Sequence, residues 1–204
     1  MEIKIKQLNK KDFNAVRKFA ITGMNLEWYT TNRLETYLYS HYMLSLELMK
    51  ATKALGAYID DKPVGVLLVC MSGEKKLYKS LMRRLFVCLG NFIMKFFEAS
   101  NVYMKFNKEM LAEFKKTHKP DGELNFFVVD PEITGKGIGS ILLKQLVQEE
   151  DGKLIYLYSD SGATHEFYIR RGFQESGKHE IVLKRHNKEV FLTCYLYSKT
   201  LMKE

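Results

Sequence analysis

The stretch from Glu123 to Leu143, ELNFFVVDPEITGKGIGSILL, constrains the chain more than any other: an apolar run, a proline break, a glycine-rich turn, then helical periodicity. A strand feeding such a turn at a helix N-terminus gathers backbone N–H groups without intrahelical partners, and the positive end of the helix dipole, at one point. That point is an anion site. Two nucleotide-binding loops fit the phrase Thr134-Gly135-Lys136-Gly137-Ile138-Gly139-Ser140 poorly. The dinucleotide fingerprint G-x-G-x-x-G finds Ser140 where its third glycine should be. The phosphate loop of nucleotide hydrolases needs Ser or Thr after its lysine, and Lys136 is followed by Gly137. Gly172 to Gly177 with Lys178 nearly spells that second loop, but His179 replaces the hydroxyl residue and HEIVLKR continues as a strand.

At 204 residues and 46% hydrophobic content, the chain is expected to form one globular domain, or one carrying a large insertion. The N-terminus MEIKIKQLNKKDF is charged and has no apolar core, so secretion is not expected. Cys70, Cys88 and Cys194 have no paired spacing, which favours reduced thiols over a disulfide frame or a zinc site, and a cytoplasmic location.

Alternation of Ile3 and Ile5 with lysines predicts a first strand over Glu2 to Leu8, and helices follow over Lys10 to Met24 and Asn32 to Lys53. Leu55 to Ile59 and Val64 to Met71 flank Asp60-Asp61-Lys62-Pro63, a hairpin signal. The motif strand, the helix Gly137 to Glu149 and a strand over Leu154 to Tyr158 make a parallel crossover unit. A short helix around Tyr168 and a hairpin of Glu180 to Lys184 with Val190 to Tyr197 close the chain.

Residues 134 to 139 resemble the acetyl-CoA signature of the GNAT superfamily of N-acetyltransferases, Q/R-x-x-G-x-G/A after a bulged strand, matching at Gly137 and Gly139. Thr134 stands where Gln or Arg is usual, which removes a long side chain near the pyrophosphate but leaves the backbone N–H groups of Gly135, Lys136, Gly137, Ile138, Gly139 and Ser140. A second segment, SGATHEFYIRRGF, is similar to the family's F-Y-x-x-x-G-F helix at Phe167, Tyr168, Gly172 and Phe173, with Ser161 where many relatives have a pantetheine-binding Asn. Taken singly, each glycine reads as an ordinary turn or helix stop and Tyr168 as a half-buried core aromatic. The resemblance, with the order of elements, implies the α/β (α+β) GNAT fold: a mixed, mostly antiparallel, twisted sheet of about seven strands with a central parallel pair, flanked by helices.

Residues 72–121 lie outside the usual pattern, where relatives have a short connection. A stretch this long is expected to be helical. Leu77, Leu81, Leu85, Cys88, Phe92 and Phe96 recur at helical spacing, and a second helix is expected from Val102 to Thr117. The segment holds eleven Lys or Arg (75, 76, 79, 83, 84, 95, 105, 108, 115, 116, 119) and five acids (74, 98, 109, 113, 121), a net +6 of the chain's +8. Three readings stand: the apolar stripe packs on the domain and the lysines form a solvated face; the insert walls the acceptor cleft; or it is a basic amphipathic surface for anionic partners. Arg83, Arg84 and Lys95 interrupt it well short of the ~20 apolar residues of a membrane span. Nothing resembles a nucleic-acid-binding module.

The resemblance implies transfer of an acetyl group from acetyl-CoA to a primary amine by direct attack, without a metal. An amine of pKa near ~10.4 arrives protonated at neutral pH and must lose a proton. Glu123, fourteen residues before Gly137, resembles the general-base glutamate of histone-modifying relatives, and it also reads as a polar residue ending the preceding loop. Asp160 and Glu166 are alternatives, and His165 is expected at the surface. Backbone N–H groups of Phe127, Val128 and Val129 are placed by the resemblance to hold the oxyanion and the pantetheine amides, and Tyr168 to protonate the departing thiolate. Other readings are a GNAT-fold module that holds acyl-CoA without turnover, and a peripheral protein bound to acidic surfaces. The sequence is compatible with a homodimer and leaves the acceptor amine open.

Overall fold

The computed structural model describes residues 2–94, 98–133, 135–185 and 188–203. The chain runs β1 (Lys4–Gln7), α1 (Phe13–Gly23), α2 (Arg33–Lys50), β2 (Lys53–Ile59), β3 (Lys62–Met71), α3 (Leu81–Met94), α4 (Glu98–Thr117), β4 (Gly122–Val129), α5 (Ile138–Glu149), β5 (Leu154–Asp160), α6 (Glu166–Ile169), β6 (Gln174–Arg185) and β7 (Lys188–Thr200). Local chemistry accounts for several boundaries. Asn32 caps α2 by accepting the Glu35 N–H at 2.9 Å, and the Glu35 carboxylate reaches back to the Thr31 N–H at 2.7 Å. Helix α2 stops at Lys50, three residues before the sequence reading, because the Thr52 N–H is taken by Val69 O at 2.8 Å and the chain joins the sheet. The β2–β3 register leaves Asp60 and Asp61 as a two-residue loop, both with positive φ (48° and 59°), as a hairpin of this length requires.

The seven strands form one sheet in the order β1-β2-β3-β4-β5-β7-β6, antiparallel throughout except between β4 and β5. This is the mixed sheet with a central parallel pair that the sequence predicts. The final hairpin is longer than expected, with β6 starting at Gln174 directly after Phe173, and the Tyr168 helix is a single turn. Leu142, Leu143 and Leu146 of α5 bury one face of the sheet with Leu67, Val69, Ile155 and Leu157. On the other face, α1 and α2 pack Val16, Ala20, Leu44 and Leu48 on Val66, Leu68, Phe126 and Val128. Helix α4 continues that second layer, placing Met110 and Phe114 against Tyr156, Cys194 and Leu196.

The excursion from Ser72 to Asp121 is clasped at its base, where the Ser72 N–H donates to Asp121 O at 2.7 Å. Both expected helices form within it, but the first is turned the other way. The stripe Leu77, Leu81, Leu85, Cys88 and Phe92 does not pack on the domain: all five residues are exposed, and Phe96 lies outside the described residues. Tyr78 holds the segment instead, its hydroxyl donating to Leu8 O at 2.7 Å and its ring edge-on to Phe13. Among the described residues, no helix is long and apolar enough to cross a membrane.

Leu142, fully buried between α5 and the sheet, carries much of this packing. We expect Leu142→Ala to lower unfolding free energy by about 2–5 kcal/mol in urea titrations, with the denaturant slope unchanged.

Candidate active site

Strand β4 alternates buried and half-buried residues along its length, but its register against β3 slips between Val69↔Leu124 and Leu68↔Phe126. Asn125 is the extra residue, and such a bulge bends the strand that carries it. Its effect falls on the parallel pair. Strand β5 pairs with β4 only at Gly122↔Ile155 and Glu123↔Tyr156, then continues along β7, while β4 continues along β3. The two central strands therefore part beyond Glu123. The Asp130 N–H donates to Val64 O of β3 at 2.9 Å, so by alternation the backbone groups of Val128 face β3 and those of Phe127 and Val129 face the gap.

At the far end of β4 the chain enters the glycine-rich turn. Gly135 (φ 74°) and Gly137 (φ 67°) adopt the left-handed conformation, and a Cβ on either would meet nothing within 4 Å. Gly137 is the N-cap of α5, whose first intrahelical bond runs from the Ile141 N–H to Gly137 O at 3.0 Å. The amides of Ile138, Gly139 and Ser140 precede that bond and head the helix dipole beside open space. Thr134 lies outside the described residues. Gly139 has a different duty from its neighbours: a Cβ there would lie 3.0 Å from the Phe167 ring, so its bareness lets α6 sit on α5. Arg171 locks the same contact, stacked on Phe167 at 3.7 Å, donating to Phe167 O and, through Nε (3.2 Å) and Nη2, to Ser140 Oγ. Sequence reasoning missed Arg171, which is one residue before a matched glycine.

Tyr168 projects from α6 on the α5 side of the sheet, among Phe127, Phe167, Phe173 and Tyr197. Burial pushes its phenol pKa up, so at neutral pH the group keeps its proton and has one to give. Ser161 follows β5 and is tied to β7: its N–H donates to Thr193 O at 2.9 Å, and its Oγ accepts the Thr193 N–H at 3.0 Å. Its own hydroxyl proton is left available.

Glu123 lies on the opposite face, in a polar cluster between α2 and α4. It accepts from the Tyr156 hydroxyl at 3.3 Å. Burial pushes its carboxyl pKa above the ordinary range; Lys50 pulls it back, and Glu47 pushes it further up. Asn125 donates to Glu47 through Nδ2 (2.7 Å to Oε2, 3.1 Å to the backbone O), which leaves its Oδ1 buried without a protein partner. Burial raises the Tyr156 and Tyr158 phenols, helped by the nearby Glu123 charge. Glu47, Lys50, Asn125, Tyr156 and Tyr158 belong to no motif, and only the fold brings them to Glu123.

The alternative bases are otherwise engaged. Asp160 accepts from the Gly162 N–H at 2.8 Å and from Tyr103 of α4 at 3.2 Å, ordering the turn after β5. Glu166 is exposed beside Arg170. His165, expected at the surface, is half-buried, stacked on Tyr195 and hydrogen-bonded to the Tyr197 hydroxyl at 3.2 Å. Among the described residues, no group of three or more His, Cys, Asp or Glu side chains could hold a metal ion.

The family model described as an acetyltransferase (GNAT) domain matches residues 101–175, which span the parting strands, the turn and the Tyr168 helix. Several solved structures share the fold over almost their whole length. They include PH1933 from Pyrococcus horikoshii (21% identity, TM-score 0.58, 98% of each chain covered). A histone acetyltransferase HPA2 and related acetyltransferase from Corynebacterium glutamicum is similar at 14% identity and TM-score 0.58, covering 100% of this chain and 99% of that one. The PaiA N-acetyltransferase of Thermoplasma acidophilum, solved with coenzyme A, matches at 14% identity and TM-score 0.51, covering 98% and 99%. Among curated proteins none matches. The chain therefore has the fold of the GNAT acetyltransferases, and its residues 101–175 match the model of their domain.

The close approach at Gly139 makes a direct test. Gly139→Val forces Phe167 off α5, and we expect a loss of about 1–3 kcal/mol in stability, read from urea titration, with weaker CoA binding by calorimetry because the turn and α6 no longer share one anchor.

Proposed function

We propose that the protein is an acetyl-CoA-dependent N-acetyltransferase that acetylates a primary amine by direct attack in a ternary complex. The observation that carries this reading is the parting of β4 from β5 between a half-buried carboxylate on one face and a half-buried phenol on the other, with an amide-lined turn at its end. Acetyl-CoA fits the unfilled features: an anion beside Gly135, Lys136, Gly137, Ile138, Gly139 and Ser140, and an extended amide chain along the Phe127–Val129 edge, where a ligand can pair as an added strand does. When bound, it supplies an activated thioester carbonyl.

The chain's own groups do the rest. Glu123 receives the proton from the ammonium form of the acceptor, directly or through water, since only the free amine has a lone pair to attack with. Its raised pKa brings it nearer to neutrality and so makes it a better match for that task than an exposed glutamate. The unpartnered Asn125 Oδ1 is a further acceptor for an amine N–H in the same cluster. A backbone N–H at the parting strands, from Phe127, stabilises negative charge as it grows on the carbonyl oxygen. Tyr168 gives its proton to the departing sulfur, and Ser161 offers its hydroxyl to the arm that carries it. Helix α4 walls the acceptor side, since it covers Tyr156 with Met110 and Phe114 and ties Tyr103 to Asp160.

Turnover of acetyl-CoA over a panel of amines, together with a melting-temperature rise on adding CoA, tests the reading. Binding without turnover of any amine leaves an acyl-CoA-holding module instead. Tyr168→Phe should lower kcat by about ten- to a thousand-fold with little change in acetyl-CoA affinity; unchanged kcat at every pH returns Tyr168 to the core. The pH dependence of Glu123 has a defined sign. Because its pKa is raised, the base is lost as pH falls through a value above the ordinary glutamate range, so the parent rate drops on the acid side. Glu123→Gln should lose most at neutral pH and recover as rising pH delivers the amine already deprotonated. A pH–rate profile parallel to the parent's would remove Glu123 from the role.

A further inference from the structure

Surface helices ordinarily turn their apolar stripe to the core. Helix α3 does the reverse. Its inward strip is Arg83, Val87 and Gly90: Val87 is buried, Arg83 lies over the Phe13 ring at 5.1 Å, and Gly90 fits so close to Tyr42 that a Cβ would overlap the ring. Tyr42 fixes the helix further by donating to Asn91 Oδ1 at 2.6 Å. The remaining arc presents Leu81, Met82, Leu85, Leu89, Phe92 and Ile93 to solvent, Met82 at 77% and Leu81 at 70% exposure. Six large apolar side chains on one side of one anchored helix form a contiguous patch of the kind that marks a docking surface.

Charge identifies the occupant. Residues 75–97 contain six cations (Lys75, Lys76, Lys79, Arg83, Arg84, Lys95) and no acid. At the N-terminal end of α3 a cavity of about 290 Å³ opens between α1, α2 and α3, lined by Lys10, Lys11, Arg17, His41 and Arg83 among others, with no acidic side chain. Arg17 is only 6% exposed, yet its guanidinium meets Asn14 Oδ1 and Ser40 Oγ, with no carboxylate bonded to it among the described residues. His41 Nε2 is buried in the same place without a hydrogen-bond partner among the described residues. A buried cation held by neutral groups leaves room for an anion.

We propose that this face seats the protein on an anionic lipid bilayer. Helix α3 lies in the membrane plane with its apolar arc in the headgroup–acyl boundary, the surrounding lysines and arginines meet headgroup phosphates, and the basic cavity beside Arg83 takes one of them. A second copy of the chain fits the same face less well. A two-fold contact through α3 brings Lys79 and Arg84 toward their own copies, with no acid between residues 75 and 97 to offset them. This seating is independent of acetyl transfer.

The test is flotation of the intact protein with phosphatidylcholine vesicles and with vesicles of phosphatidylcholine and phosphatidylglycerol. The expected result is flotation with the anionic vesicles alone, weakened by salt, reduced at least tenfold by Leu85→Glu with Leu89→Glu, and also reduced by Lys79→Glu with Arg84→Glu. All four positions are exposed, so both double variants should keep the parent melting temperature. Absence of flotation, or flotation unchanged in Leu85→Glu/Leu89→Glu, overturns the proposal. So does a dimer by light scattering that this variant splits while the parent ignores vesicles, which would make the face a self-interface.

Discussion

The parallel pairing of β4 with β5 stops after two residues, and the rest of the site depends on that stop. A strand that gains Asn125 on one edge cannot stay in step with both neighbours, and here it stays with β3. The cost is a row of backbone groups at Phe127 and Val129 without a strand partner. Inside a protein an unsatisfied polar group costs about 1–3 kcal/mol, so such an edge persists where a ligand or water completes it. The gap is a candidate binding site because the sheet is incomplete there, and the helix start at its end adds the amides of Ile138, Gly139 and Ser140, which precede the first intrahelical bond.

The same stop separates the two titratable groups. Glu123 belongs to the last paired position and faces α2 and α4; Tyr168 rides on α6 and faces α5. Each is desolvated by its own layer, which raises both pKa values. In one case that makes a carboxylate more basic, and in the other it keeps a phenol protonated. The carboxylate and the phenol to which the proposed transfer gives proton uptake and delivery thereby stand on opposite faces of one opening, with Phe127 at a ring-centroid distance of 6.3 Å from Tyr168.

Local signals carried much of this arrangement into the sequence. Gly135 and Gly137 were legible because positive φ beside a helix start admits few other residues, and the strand–turn–helix order followed from periodicity. Gly139 looked like its neighbours in the sequence but serves packing against Phe167, a contact between residues 28 positions apart that spacing alone cannot reveal. The bulge at Asn125 was invisible for a similar reason: an extra residue exists only relative to a partner strand. Glu47 and Lys50 of α2 and Tyr156 of β5 reach Glu123 from two different elements. For α3, periodicity gave the helix and its apolar side but not its direction, and Arg83, Val87 and Gly90 won the inward position because glycine allows close approach to Tyr42 and the Arg83 guanidinium stacks on Phe13.

The most direct test of the account is amide hydrogen exchange with and without coenzyme A. Slowed exchange at Phe127 and Val129 and at residues 137–140, with Phe126 and Val128, which already face β3, little changed, is the expected result. Protection that spares the parting strands, or that falls equally on alternate residues of β4, would contradict a ligand pairing with the edge that the bulge leaves open.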